Sequence, residues 1–259
     1  MSRRLTVVLT RTQEDNQEIA PFFEESGIQV ISLPMIAIRE LQFNAEQFSE
    51  RRTSTPLVLL TSRRGTEQWL RLRCEDELVK NIEVRGYMIV GKRSEEMIRS
   101  AEHDVRVLVV AGSGIELVEK IGGGKGNEEK EERGEGRASS EEVLYPCSTV
   151  RRDELLMGLN AIGYRVVELP LYEPILPEES REQFSGVLEE FGGQFVIAFF
   201  SPSAVENFFS LWEGDPATLE CAAIGRTTAA ALEDRGITNL IVPEHPETPS
   251  LIQTLKTSF

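Results

Sequence analysis

The sequence predicts an α/β fold of two similar halves, each a doubly wound parallel sheet. Three observations carry this. Short runs rich in Val, Ile and Leu alternate with stretches of helical spacing, the pattern of βαβ units. One strand–helix–strand unit occurs twice at a constant separation. A strand–Ser–helix turn also occurs twice, in "PLVLLTSRRGTEQWLRL" (56–72) and "FVIAFFSPSAVENFFSLW" (195–212).

Residues 5–9 read as a buried strand and 10–12 as a polar turn able to cap a helix. Ile19, Phe22 and Phe23 share one helical face, and Gly27 fits the left-handed stop after a helix. Pro21 predicts a kink or a late helix start. A second strand, 28–33, ends at Pro34. Residues 143–174 repeat these parts: Gly27 and Gly163, Pro34 and Pro170, and Glu18 and Glu154 are each 136 positions apart. Next come the serine turns, with Ser62 and Ser201, Glu67 and Glu206, and Trp69 and Phe208 each 139 apart. A third match sets Gly91, Lys92 and Ser94 against Gly225, Arg226 and Thr228, 134 apart. Residues 122–142, "GGGKGNEEKEERGEGRASSEE", carry no apolar side chain larger than alanine. They read as a disordered insertion between a helix and a strand starting at Val143.

The chain has 259 residues, a formal charge of −15 and a pI of about 4.8. That field disfavours nucleic acid and anionic lipid as partners. A small anionic substrate would need a locally favourable cleft. Cys74, Cys147 and Cys221 are an odd, widely spaced set, which argues for a reducing compartment. His103 and His245 make no metal cluster with nearby residues. No apolar run approaches the ~20 residues of a membrane span, and the start does not read as a signal peptide. The expectation is a soluble cytoplasmic protein.

In parallel α/β sheets, ligands bind beyond the carboxyl ends of strands, where helices begin. Six hydroxyl-bearing turns of that kind are visible: 10–12, 61–63, 91–94, 147–149, 201–203 and 225–228. First-turn N–H groups lack partners and the helix dipole is positive there, so each turn can hold an anion. A single such hydroxyl is plainly read as a cap; Ser201-Pro202 is an example. Collectively, donor-rich turns facing a cleft suit a ligand with many carboxylates or phosphates. Other motifs fail. "AGSGIEL" (111–117) lacks the third glycine of a dinucleotide fingerprint, and no P-loop is present. Neither Ser62 nor Ser201 sits in a GxSxG elbow or has a histidine base, so neither reads as a nucleophile. Cys147 reads as a buried structural thiol.

The stretches "VVLTR", "GIQVISLPMI", "LLTSRRG", "VLYPC", "LNAIGYRVVELPLYEP", "FFSPSAVENF" and "AIGRTTAAAL" resemble the uroporphyrinogen-III synthase family. The likeness covers nearly the whole chain outside 122–142. It implies two α/β domains joined by a two-stranded linker: 1–36 with 177–259, and 37–176. It implies an enzyme that cyclises hydroxymethylbilane to uroporphyrinogen III with inversion of the last pyrrole ring, without cofactor or metal. It further implies a monomer whose one protein contact is transient, with the upstream bilane-forming enzyme. By the same resemblance Tyr172 is the proton donor to, or the polariser of, the leaving hydroxyl; the plain alternative is an aromatic that packs where the chain passes between domains. Thr10, Arg11, Ser62, Arg63, Lys92, Ser94, Ser148, Ser201, Ser203, Thr227 and Thr228 bind the substrate's arms, and Arg226 adds charge. The chain departs from the family at Thr12, where proline is common, and at Ser148, where glycine is common. Two other classes compete: a non-catalytic two-domain binder of a polyanionic small molecule, and a nucleotide-dependent transferase.

Overall fold

The structure, a computed structural model, describes residues 5–44, 55–102, 104–124, 141–151, 153–190 and 195–259. The chain divides into two compact units: Met1–Arg39 with Pro174–Phe259, and Glu40–Glu173. The first unit opens with β1 (Thr6–Leu9), α1 (Gln13–Glu25) and β2 (Gln29–Ser32). β3 (Ala37–Glu40) crosses into the second unit. There follow β4 (Leu57–Leu60), α2 (Arg63–Glu75), α3 (Glu77–Lys80), β5 (Gly86–Val90), α4 (Lys92–Ala101), β6 (Val107–Ala111), α5 (Gly114–Gly124), β7 (Glu141–Ser148) and α6 (Asp153–Ala161). β8 (Tyr164–Ile175) crosses back. The chain ends with α7 (Glu178–Glu190), β9 (Val196–Phe199), α8 (Pro202–Phe209), β10 (Glu220–Ala223), α9 (Arg226–Glu233), β11 (Asn239–Ile241) and α10 (Thr248–Ser258).

One sheet has the order β11-β10-β9-β1-β2, the other β3-β8-β7-β4-β5-β6. β1 is parallel to β2 and β9, and β10 to β9 and β11. In the second sheet β4 is parallel to β5 and β7, β5 to β6, and β7 to β8. The order reverses between β4 and β7, and between β9 and β1. Such switch points open a crevice at the strands' carboxyl ends. β1, β4 and β9 are buried along their whole length, as central parallel strands covered on both faces must be.

In the first unit Phe208 packs edge-on against Phe184, Phe199 and Phe209, with centroids 5.0, 5.4 and 5.3 Å away. Its counterpart by the 139-residue offset, Trp69, is fully buried in the second unit and donates to Tyr87 Oη at 3.3 Å. Gly27 and Gly163 end α1 and α6 at φ 83° and 92°, where a Cβ would be strained.

Several sequence expectations need correction. α1 starts at Gln13 and runs through Pro21, so the helix does not start late. Phe22 points to solvent while Ile19 and Phe23 are buried, because only two of the three fall on the core side. The inserted segment is shorter than 122–142. Gly122–Gly124 close α5, and Glu141 and Glu142 begin β7, with Glu142 buried beside Arg165 at 3.5 Å. Residues 125–140 and His103 lie outside the described residues.

Candidate functional site

A pocket of about 400 Å³ opens in the second unit at the β4/β7 switch point. Its wall begins with Thr61 and Ser62, which follow β4. Ser62 is the N-cap of α2: its Oγ accepts from Gly65 N–H at 3.0 Å. Gly65 is required there, since a Cβ would lie 2.9 Å from the Pro146 carbonyl oxygen of β7. Helix and strand approach too closely for a side chain, and this sets the aim of Ser62.

β7 and β8 bring two phenols to the same wall. Tyr172 Oη lies 3.1 Å from Ser62 Oγ, and Tyr145 Oη lies 3.1 Å from Thr61 Oγ1. Burial raises both phenols above the ordinary tyrosine value of 10.0, and the hydrogen bonds with Ser62 and Thr61 oppose it. Cys147 also lines the pocket, and burial pushes its thiol up to about 12, so it is inert as a nucleophile at neutral pH. Among the described residues, Arg151 is the cation in the pocket wall. Its guanidinium meets Glu168 at 2.5 Å and Asp153 at 3.6 Å, and Glu154 stands beside it in the wall. A polyanion therefore meets neutral donors here more than net positive charge.

Of the residues expected from sequence, Ser62, Ser148 and Tyr172 line this one pocket. Ser148 does not start a helix; its Oγ accepts from Val150 N–H at 3.2 Å and α6 begins only at Asp153. Arg63 turns toward Glu67 at 3.5 Å. Lys92 is exposed at the start of α4, while Ser94 is buried. In the first unit, Thr10 is fully buried and donates to the Ala198 carbonyl at 2.8 Å, tying β1 to β9 across their switch point. Arg11 pairs with Asp15 at 3.2 Å and lies over the Phe200 ring. Ser201 caps α8 through Ala204 N–H at 3.2 Å, with Ser203 half-buried beside it. Thr227 and Arg226 are exposed in the first turn of α9, and Thr228 is buried.

Sequence reasoning missed Tyr145, Arg151 and the Ser113-Gly114-Ile115 turn, all in the pocket wall. That turn had a readable signal. Ser113 Oγ accepts from Glu116 N–H at 3.2 Å, and Glu116 Oε2 accepts from Gly112 N–H at 2.7 Å, a variant of the S-x-x-E cap. Tyr145 had none, because its role depends on Thr61, 84 positions away.

Among the described residues, no helix is long and apolar enough to cross a membrane, and no group of three or more His, Cys, Asp or Glu could hold a metal.

A uroporphyrinogen-III synthase of Chlorobaculum parvum is 24% identical over 256 residues, 96% of this chain and 97% of that one. The crystal structure of uroporphyrinogen-III synthetase from Helicobacter pylori has a TM-score of 0.64 at 15% identity, covering 99% of this chain and 100% of that one. A mutant uroporphyrinogen III synthase from Thermus thermophilus has a TM-score of 0.61 at 18% identity, covering 98% of each. These two show a shared fold. The profile described as Uroporphyrinogen-III synthase HemD matches residues 17–253, so the chain belongs to the uroporphyrinogen-III synthase family.

Proposed function

We propose that the protein is a uroporphyrinogen-III synthase. It closes the linear tetrapyrrole hydroxymethylbilane to uroporphyrinogen III, with inversion of the last ring and loss of water. The observation that carries this reading is the Ser62–Tyr172 hydroxyl pair in the switch-point pocket of a chain of this family. Tyr172 is the proton donor. Either hydroxyl of the pair can donate to the other, and when Ser62 donates to Tyr172 Oη the phenolic proton is left for the ligand.

The chemistry needs little else. The phenol protonates the departing hydroxyl of the bilane, the C–O bond breaks, and water leaves. The ring nitrogen's electrons form an azafulvenium ion. The substituted carbon of the last ring attacks it to give a spiro intermediate, which breaks and recloses at the other position. The proton lost from ring carbon at closure returns to the phenolate. Positioning and one proton donor supply the catalysis.

The substrate's carboxylates are held by Ser148 in the pocket and by Arg63 and Lys92 at the starts of α2 and α4. In the first unit, Arg11, Ser201, Ser203, Thr227 and Arg226 serve in the same way. Thr10, Ser94 and Thr228 are buried and hold the shape of their turns. The two units are copies of one α/β plan with β3 and β8 as the linker. The matched offsets support this, as does the strand order, which reads alike when started from β4 and from β9. The protein acts as a monomer in the cytoplasm and meets the bilane-forming enzyme transiently.

The test is product analysis. Freshly made hydroxymethylbilane is given to the purified protein, and the isomers are separated after oxidation. The III isomer should dominate and scale with protein concentration. Isomer I alone, formed at the rate of the protein-free control, would refute the reading.

A further inference from the structure

Tyr145 and Tyr172 stand on neighbouring strands, are 5% and 8% exposed, and meet two consecutive hydroxyls, Thr61 and Ser62. Counting protons gives each pair a use. A hydroxyl has one proton to donate and two acceptor positions. Within each pair one proton is spent on the partner and one is left over. Gly65 N–H occupies an acceptor position on Ser62 and leaves the donor count unchanged. Among the described residues, these four hydroxyls have no acceptor other than one another. The wall therefore carries two spare O–H donors facing one pocket. A spare buried donor costs stability unless a ligand or water takes it.

The geometry points to Tyr145 as a second catalytic hydroxyl: with Thr61 as its partner, it donates a hydrogen bond to the same departing oxygen that Tyr172 protonates. This rests on the synthase reading above. A neutral oxygen fits this wall better than a carboxylate arm. The donors are uncharged, and the nearby cations are already engaged, Arg151 by Glu168 and Asp153 and Arg64 by Glu67. As the C–O bond breaks, Tyr172 gives its proton and keeps the electron pair of its O–H bond. Tyr145 keeps its proton and stabilises the electrons gathering on the departing oxygen. The Tyr145 phenol is protonated at neutral pH, and burial moves its loss of the proton further above the ordinary value of 10.0 against the opposing hydrogen bond with Thr61.

Steady-state kinetics on hydroxymethylbilane, with isomers separated, test this through Tyr145→Phe. The substitution keeps the ring and deletes only the hydroxyl. The expected result is a fall in kcat of about tenfold with KM within about twofold, the mark of an interaction made in the transition state. Thr61→Val, which removes the partner hydroxyl, should lower kcat in the same direction by a smaller factor. Wild-type kcat in both variants would overturn the proposal while leaving the synthase reading intact. A raised KM with unchanged kcat would also overturn it, since Tyr145 would then bind the substrate without assisting departure. Absence of the III isomer with wild-type protein overturns both readings together. Should Tyr145→Phe lose its circular dichroism signature of folding, Thr61→Val decides the matter alone.

Discussion

Burial outweighs the opposing hydrogen bond with Ser62 and raises Tyr172 above the ordinary tyrosine value of 10.0, so the phenol is protonated well past neutral pH. In the proposed role the protonated form is the active one, and a raised value moves its loss to higher pH. The phenol therefore causes no fall in kcat between about pH 7 and 9, and its alkaline limb lies above the ordinary tyrosine value of 10.0. A pH–rate profile checks this; a limb near neutrality would assign the proton donor to another group. The cysteines make a second prediction. Cys74 is exposed, while Cys147 and Cys221 are buried with thiols pushed up to about 12. Titration of the folded protein with a thiol reagent at neutral pH should find one fast-reacting thiol, and all three after denaturation. Ser62 and Ser148 were legible in the sequence because each lies at the carboxyl end of an apolar run. Tyr145 and Arg151 were not, since a phenol in a strand and an arginine in a polar turn look ordinary until distant residues are brought beside them.

α2 and β7 form the element pair on which the site depends. Gly65→Ala places a methyl 2.9 Å from a backbone carbonyl, which cannot rotate away. Such overpacking costs about 1–3 kcal/mol, more than the ~1 kcal/mol or less that alanine gains over glycine inside a helix. The variant should melt at a lower temperature and turn over more slowly, because Ser62 must shift with the helix. Thermal unfolding and kinetics read the two effects separately. In the first unit, Phe208→Ala should cost about 3–5 kcal/mol in denaturant unfolding, as it empties the centre of an aromatic cluster. Strand–helix alternation was readable from apolar runs and glycine stops. The turn after β7 was not: "CST" looks like a cap, but the hydroxyl of Ser148 meets Val150 N–H and the helix waits for Asp153. Phe22 misled for a related reason, since helical spacing fixes a face only to within one neighbouring position.

At the scale of the molecule, five buried groups hold their protons more tightly in the folded state: Tyr87, Tyr145, Tyr172, Cys147 and Cys221. Their folded values are raised, so the stability they contribute is present at neutral pH. It is lost as pH climbs from the ordinary cysteine value of 9.0 toward about 12. Melting temperature should fall steadily over that range; a flat profile would contradict the burial of these groups. The constant offsets of 136, 139 and 134 residues were legible without coordinates, because glycine stops and serine turns tolerate few substitutes. The passage of the chain through β3 and β8 was not legible from spacing, since nothing in either stretch marks it as a crossing; only the family resemblance suggested two linking strands. The central claim, that the Ser62–Tyr172 pair drives departure of the bilane's hydroxyl, is tested most directly by one comparison. Tyr172→Phe and wild type would be assayed side by side for the rate of uroporphyrinogen III formation, with folding checked by circular dichroism. The account predicts a loss of about tenfold or more, with the I isomer taking a larger share as substrate closes unassisted. A folded Tyr172→Phe with the wild-type rate and isomer ratio would contradict it.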